Sequence, residues 1–383
     1  MSSPFLLPVL ALAVCMVGAA EFMLAPMLAP LAAAFDTSPA HASGLVSAYA
    51  LSYAAAAPLM GWLSDRAGRR KVLLAAMLLF AADSFALTLV PTLQAAMALR
   101  ILGGLAAAAT IPTVFALIAE RIPPARQAGA MGGVMLGMTA GIAAGPAVSG
   151  LLAESWGWRA PFLWIAGCCL AAFGAGSWVI PRDLPPACMS MTKDPSINNA
   201  GDGILGLLLA KGAWNGSAVA GYVFAGEVLR IRYGLEVGAV GIAVSVFGLG
   251  LALGNMLAGQ ARRRYQREEN ILTFATVVVA GSMTLFLTAA IGLSVALGCL
   301  LTWGAALGIA APASTALLAQ RAGANKGKVL AVSESINNVA VLMLLPVAAS
   351  ASATYGVTPD AALLGGICMA GAIGSATVRR RQL

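Results

Sequence analysis

Twelve apolar runs, each close to the ~20 residues a helix needs to cross a bilayer, take up most of this chain. They lie at 4–35, 42–60, 71–90, 93–119, 128–152 and 161–180, then at 204–227, 237–260, 271–290, 292–319, 329–353 and 361–378. Inside hydrocarbon each segment has to satisfy its own backbone hydrogen bonds, so runs of this length are expected as helices. Composition agrees: 60% of the residues are hydrophobic and 10% charged, whereas a soluble domain carries about a quarter charged residues. The expected class is an all-α membrane protein with twelve transmembrane helices.

Polar residues divide the runs six and six. The one long polar stretch, 181–203, contains four prolines, three aspartates and two asparagines. It reads as a linker between a six-helix bundle at 1–180 and a second at 204–383. With both termini placed in the cytoplasm, eighteen of the 23 Lys and Arg fall in cytoplasmic segments. Arg159, Arg230 and Arg232 alone fall in outer turns, an asymmetry that sets this orientation. The apolar start of the chain has no cationic leader or cleavage site, and is expected to be the first span rather than a signal peptide.

The net charge of +8 might suggest nucleic acid, but the cations are scattered through short turns and form no basic face. Five of the six cysteines lie in apolar runs, and the single histidine, His41, sits in a polar turn. No metal or redox spacing results. No paired carboxylates, histidine cluster or nucleophile arrangement supports an enzyme, and no P-loop supports nucleotide use. Neither a cofactor nor a metal is expected. The bilayer is the expected partner, around a monomer.

The densest charge lies in Gly61-Trp62-Leu63-Ser64-Asp65-Arg66-Ala67-Gly68-Arg69-Arg70-Lys71, a turn between the second and third runs. Asp65 among four cations is either a gate part or one charge of a self-neutralised surface turn. The turn after the eighth run, Arg262 to Arg267, echoes it without an acid, and Gly248, Gly250, Gly254 and Gly259 precede it. Two parallel six-helix repeats imply a transporter with its solute site near mid-membrane, between the halves.

Three motifs carry a family resemblance. These are Gly61-x-x-x-Asp65-Arg66-x-Gly68-Arg69-Arg70, Leu99-Arg100-Ile101-Leu102-Gly103-Gly104, and Gly141-x-x-x-Gly145-Pro146-x-x-x-Gly150. The chain resembles the major facilitator superfamily, and within it the twelve-span drug:proton antiporters and the related sugar-efflux and chloramphenicol-resistance proteins. It departs in having Leu102 where the fourth-span motif usually has Gln. The resemblance implies two pseudo-symmetric bundles in the bacterial inner membrane and export of lipophilic solutes in exchange for protons by alternating access. Sugar or nucleoside efflux is the alternative, and a non-transporting sensor a more distant one. It assigns the first motif to gating, makes Arg100 a buried cation that tunes an acid, and reads the third motif as packing that limits leak.

Candidate site residues follow from charge in apolar surroundings. Glu21 lies mid-span, where an ionised carboxylate costs ~2.5–3.5 kcal/mol on insertion scales. It is expected either to face the cavity as a proton carrier or to pair with Arg100. Asp83, about twelve residues into the third run, either pairs with Arg100 or is a second proton site. Arg100 alone would snorkel to the outer headgroups. Pro26 and Pro30 mark a kink or a hinge. Lys211 either snorkels or lines the cavity. Phe22, Met23, Trp214, Asn215, Asn337 and Asn338 are candidates for solute contact. Glu334, Asn337 and Asn338 share a helix face by their spacing of three and four.

Overall fold

A computed structural model describes residues 4–181, 202–265, 267–322, 326–353 and 359–377. Fifteen helices account for nearly all of them. The first half holds α1 (Leu6–Phe22), α2 (Leu24–Ala34), the one-turn α3 (Pro39–Ala42), α4 (Gly44–Ala67), α5 (Arg69–Leu87), α6 (Leu93–Arg121), α7 (Pro124–Trp156) and α8 (Ala160–Val179). The second half holds α9 (Asp202–Val223), α10 (Ala225–Tyr233), α11 (Val237–Tyr265), α12 (Glu268–Thr288), α13 (Leu293–Ala322), α14 (Lys326–Ala353) and α15 (Pro359–Thr377). The expected linker, apart from Pro181, Asp202 and Gly203, lies outside the described residues.

Each expected span finds its helix, with α1 and α2 forming the first and α9 and α10 the seventh. By length and apolarity alone, seven helices among the described residues qualify as membrane spans, and the bent α1–α2 pair makes eight. The others, α4, α5, α9–α10 and α15, complete twelve through their places in the bundles. The helix pairings of the two halves correspond one to one. In the first half α1 packs on α7, α6 on both α4 and α5, and α8 on both α5 and α1. In the second half α9 packs on α14, α13 on both α11 and α12, and α15 on both α12 and α9. Two cross-bundle seams, α7 against α11 and α4 against α14, join the halves.

Two breaks give the bundles their working geometry. Helices α1 and α2 meet at 54°, with Met23 between them. Pro26 explains the position, because it cannot donate to the carbonyl of Phe22 and its ring crowds that carbonyl. Pro30 stays inside α2. In the second half the chain breaks at Phe224, between α9 and α10. The two short helices then pack on each other so closely that a methyl group on Gly226 would strike the carbonyl of Ala25.

The charged turn is shorter than the sequence suggests. Helix α4 runs through Ala67 and α5 begins at Arg69, leaving Gly68 alone at φ +97°. That backbone angle is one that L side chains rarely adopt. Arg69 donates to the carbonyl of Ala116 at 2.6 Å and pairs with Glu120 at 3.1 Å. Arg70 donates to the carbonyl of Ser177 at 2.6 Å. Both cations therefore sit at the C-terminal ends of helices, where carbonyls lack intrahelical donors and the dipole is negative. The side chain of Asp65 lies outside the described residues, and so does the gate reading attached to it.

The seam between α7 and α11 is tight at one end and loose at the other. A methyl group on Gly150 would strike the backbone of Val237 and Gly241, and one on Gly248 that of Ala143. Glu154 also accepts a 2.6 Å hydrogen bond from the Gly238 amide across the seam. Toward the cationic turns the last crossing bond among the described residues is Asn255 to Thr139, at 3.2 Å. Beyond it, methyl groups on Gly129, Gly132, Gly133 and Gly259 would meet nothing within 4 Å. The α7–α11 seam is loose toward the cationic end.

Candidate functional site

Apart from the Glu227–Arg230 pair of α10, the ionisable side chains inside the spans, among the described residues, fall into two pairs and one acid without an ion-pair partner. Arg100 and Asp83, on α6 and α5, are 1% and 0% exposed and lie 3.2 Å apart. Asp83 fits because residue 103 is glycine: a methyl group there would come within 2.5 Å of its Oδ2. Arg100 also lies 4.9 Å from the Tyr49 ring centre, a cation–π contact, and its Nη2 is 3.5 Å from the carbonyl of Ala20. Burial of Arg100 replaces the snorkelling expected from its place near the start of the fourth run. The cause is the acid on the neighbouring helix, seventeen residues earlier.

Lys211 on α9 is the second buried cation. Its Nζ donates to Ser333 at 2.8 Å and to Glu334 at 3.1 Å. It does not snorkel, because its partners lie on the face of α14 packed against α9. Asn338 donates to the carbonyl of Glu334, one turn back.

Glu21 differs from both. No ion pair or hydrogen bond joins its carboxylate to another described side chain, and it is half-buried. It stands one residue before the end of α1, at the break. Beside it, between the bundles, is a small cavity of about 20 Å³, room for about one water. Glu21, Phe22, Tyr49 and Arg100 line it from the first half, and Tyr222 and Asn338 from the second.

The wall is aromatic and crosses between bundles. Phe22 packs on Tyr222 at 5.0 Å and on Phe247 at 6.1 Å, and Phe247 meets Trp303 edge-on at 5.5 Å. Tyr49 and Tyr222 are 3% and 1% exposed, and neither hydroxyl has a hydrogen-bond partner. Buried polar groups are normally satisfied, so the two hydroxyls are free to bond a bound molecule. The Asn337 carbonyl oxygen is likewise unpartnered.

Other expected contacts lie elsewhere. Met23 is 1% exposed and belongs to the core at the break, where its carbonyl accepts from Ser149 at 3.4 Å. Trp214 is fully buried in the second bundle, its backbone close to Gly371 of α15, so it is not in the cavity wall. Asn215 is half-buried and is not among the lining residues. Tyr49 and Tyr222 escaped the sequence reading, although a tyrosine in an apolar run does bring a hydroxyl to membrane depth.

The third motif links the acid to the seam. Methyl groups on Gly141 and Gly145 would strike α1 at Cys15 and Ala19, just before Glu21, while Gly150 faces Gly241 of the other bundle across from Pro146. One stretch of α7 therefore touches both the carrier of Glu21 and the second bundle. At Gly145 the clash would be with the Ala19 backbone, 2.8 Å from the added carbon. Gly145→Val is expected to destabilise the protein by about 1–3 kcal/mol and to lower its transport rate, as read by thermal unfolding in detergent and by solute flux. Unchanged stability and flux would show that α1 and α7 are not clamped there.

Two six-helix bundles with a small, largely apolar cavity between them are the architecture of a membrane transporter. The chain belongs to the major facilitator superfamily, whose family model matches residues 10–346. Among relatives, the chloramphenicol resistance protein of Streptomyces lividans is 31% identical over 265 residues, covering 68% of this chain and 67% of that one. The MFS-type transporter YceJ of Bacillus subtilis is 30% identical over 254 residues, covering 65% of this chain and 64% of that protein. In structure the chain is similar to a D-xylose–proton symporter, with a TM-score of 0.82, 17% identity and 96% of each chain covered; that likeness is one of fold.

Proposed function

We propose that this transporter exports small, mostly lipophilic solutes from the cytoplasm in exchange for protons, by alternating access. The observation that carries the reading is Glu21, a carboxylate without an ion-pair partner among the described residues, set at a helix break beside an aromatic cavity. A lone carboxylate at this depth is costly as an anion. It is relieved by a proton or by a solute whose binding makes up for the proton, and competition between the two is the elementary step of antiport. The Asp83–Arg100 pair anchors the wall beside it.

In this reading the bundles 1–180 and 204–383 rock as units about the central cavity, with both termini and the cationic turns in the cytoplasm of a bacterial inner membrane. The looseness of the α7–α11 seam toward the cationic end is then part of an opening to the cytoplasm. The turn built on Gly61, Asp65, Arg66, Gly68, Arg69 and Arg70 gates that side, and Gly141 to Gly150 seal the seam against leak. The name of the Streptomyces lividans relative and the aromatic wall favour lipophilic drugs such as chloramphenicol over sugars.

Inside-out vesicles with an acidified lumen test the proposal. Chloramphenicol, lipophilic cations and sugars are added singly while lumenal pH is followed. Solute-dependent proton release with a lipophilic solute is expected. Release with sugars alone would move the reading to sugar efflux, and silence across the panel with folded protein would refute it.

A further inference from the structure

We propose that Glu334 is a second solute-binding carboxylate, on the opposite bundle from Glu21, and that it takes the charged centre of a lipophilic monovalent cation in exchange for Lys211. This deepens the export reading and rests on it.

The pair is built unevenly. The Lys211 side chain is 5% exposed and that of Glu334 is 47%. An incoming molecule therefore reaches the carboxylate and not the ammonium. Lys211 keeps a second ligand, the Ser333 hydroxyl at 2.8 Å, so it is not left bare if Glu334 turns to a solute. Asn338, one turn along α14 on the same face, lines the cavity together with Glu21. Glu334 lies eight residues into α14, which begins at the cationic end, whereas Glu21 lies fifteen residues into α1, so a solute coming from that end meets Glu334 before Glu21.

Charge sets the chemical class. Among the described residues around the cavity, Arg100 and Lys211 face Asp83, Glu334 and Glu21, which leaves one uncompensated negative charge. An added anion would make that imbalance worse, and a monovalent cation cancels it. The faces of Phe22 and Tyr222 offer cation–π contact. The unpartnered Tyr49 and Tyr222 hydroxyls stand in the same wall, ready to accept from an ammonium or bond a polar substituent. Lys211 is the counter-ion that occupies Glu334 while the site is empty, so a cation binds by substitution.

Equilibrium binding to the purified full-length transporter in detergent tests this, with tetraphenylphosphonium as the cation and chloramphenicol as the neutral control. Glu334→Gln is expected to weaken tetraphenylphosphonium binding about tenfold or more and to leave chloramphenicol within about twofold. Glu334→Asp should retain most of the cation affinity. Lys211→Met, which removes the competing ammonium, should tighten cation binding several-fold, an effect no purely structural role would give. Equal weakening of both ligands in Glu334→Gln, or unchanged cation affinity there, would overturn the proposal. So would a wild-type protein that does not bind tetraphenylphosphonium. Proton release driven by a neutral solute is read separately, so antiport survives if this site fails.

Discussion

Glu21→Gln is expected to lower proton-driven solute accumulation in vesicles by about 100-fold or more, a loss of roughly 2.7 kcal/mol of coupling. Movement of the solute down its own gradient should persist. Gln keeps the size of Glu and one acceptor oxygen, with a donating NH2 in place of the other oxygen, but cannot ionise. The wall of Phe22, Tyr49 and Tyr222 is therefore left intact and only the exchangeable proton is removed. The structure makes this substitution mild for folding, because Glu21 holds no ion pair or hydrogen bond with another described side chain. Loss of downhill movement as well would mean that Glu21 supports the cavity instead of coupling it. Full retention of uphill transport would move the proton site elsewhere.

The Asp83–Arg100 pair should behave in the opposite way, with a large effect on stability and a small one on coupling. Removing one member of a buried pair leaves the other unmatched and costs about 3–5 kcal/mol. The two single substitutions are not equivalent. A carboxylate left alone can take up a proton and shed its charge, whereas a guanidinium stays charged at any working pH. Asp83→Leu should therefore be the more damaging and Arg100→Leu the less. Replacing both should recover much of the loss, because two apolar groups leave no buried charge behind. Thermal unfolding of the purified variants measures the order. A double variant as unstable as Asp83→Leu would show that the pair does more than neutralise itself, and solute-driven proton release lost in a folded Asp83→Asn would return Asp83 to the proton pathway.

The fold was legible because the bilayer imposes a length and a hydrogen-bonding rule that any spanning segment must meet. Runs such as 93–119 and 292–319 mark α6 and α13 to within a few residues. The break in the first span was legible from Pro26, while the matching break at Phe224 has no proline and left no signal. Single acids at depth were also legible: Glu21 and Asp83 stand out because hydrocarbon tolerates neither without a reason.

Partnerships were harder to read, since they depend on which helices face each other. Arg100 and Asp83 are seventeen residues apart, and Lys211 and Glu334 are 123 apart. No local spacing joins either pair; the first is one of two readings open for Asp83 because the charges lie on successive spans, whereas nothing in the sequence links Lys211 to Glu334. Trp214 shows the reverse error: its size and position suggested solute contact, but the face of α9 that carries it turns into the second bundle against α15. Tyr222, eight residues later on the same helix, is in the wall instead.

In the proposed exchange, a proton and a solute compete at Glu21. The most direct test is to add saturating solute to purified carrier in weakly buffered detergent solution and to count the protons released. Wild type should release about one proton per carrier at the acidic end of the range and progressively less as pH rises, while Glu21→Gln binds the solute and releases none. Equal release from the two proteins, or solute binding by wild type with no release at any pH, would contradict the exchange.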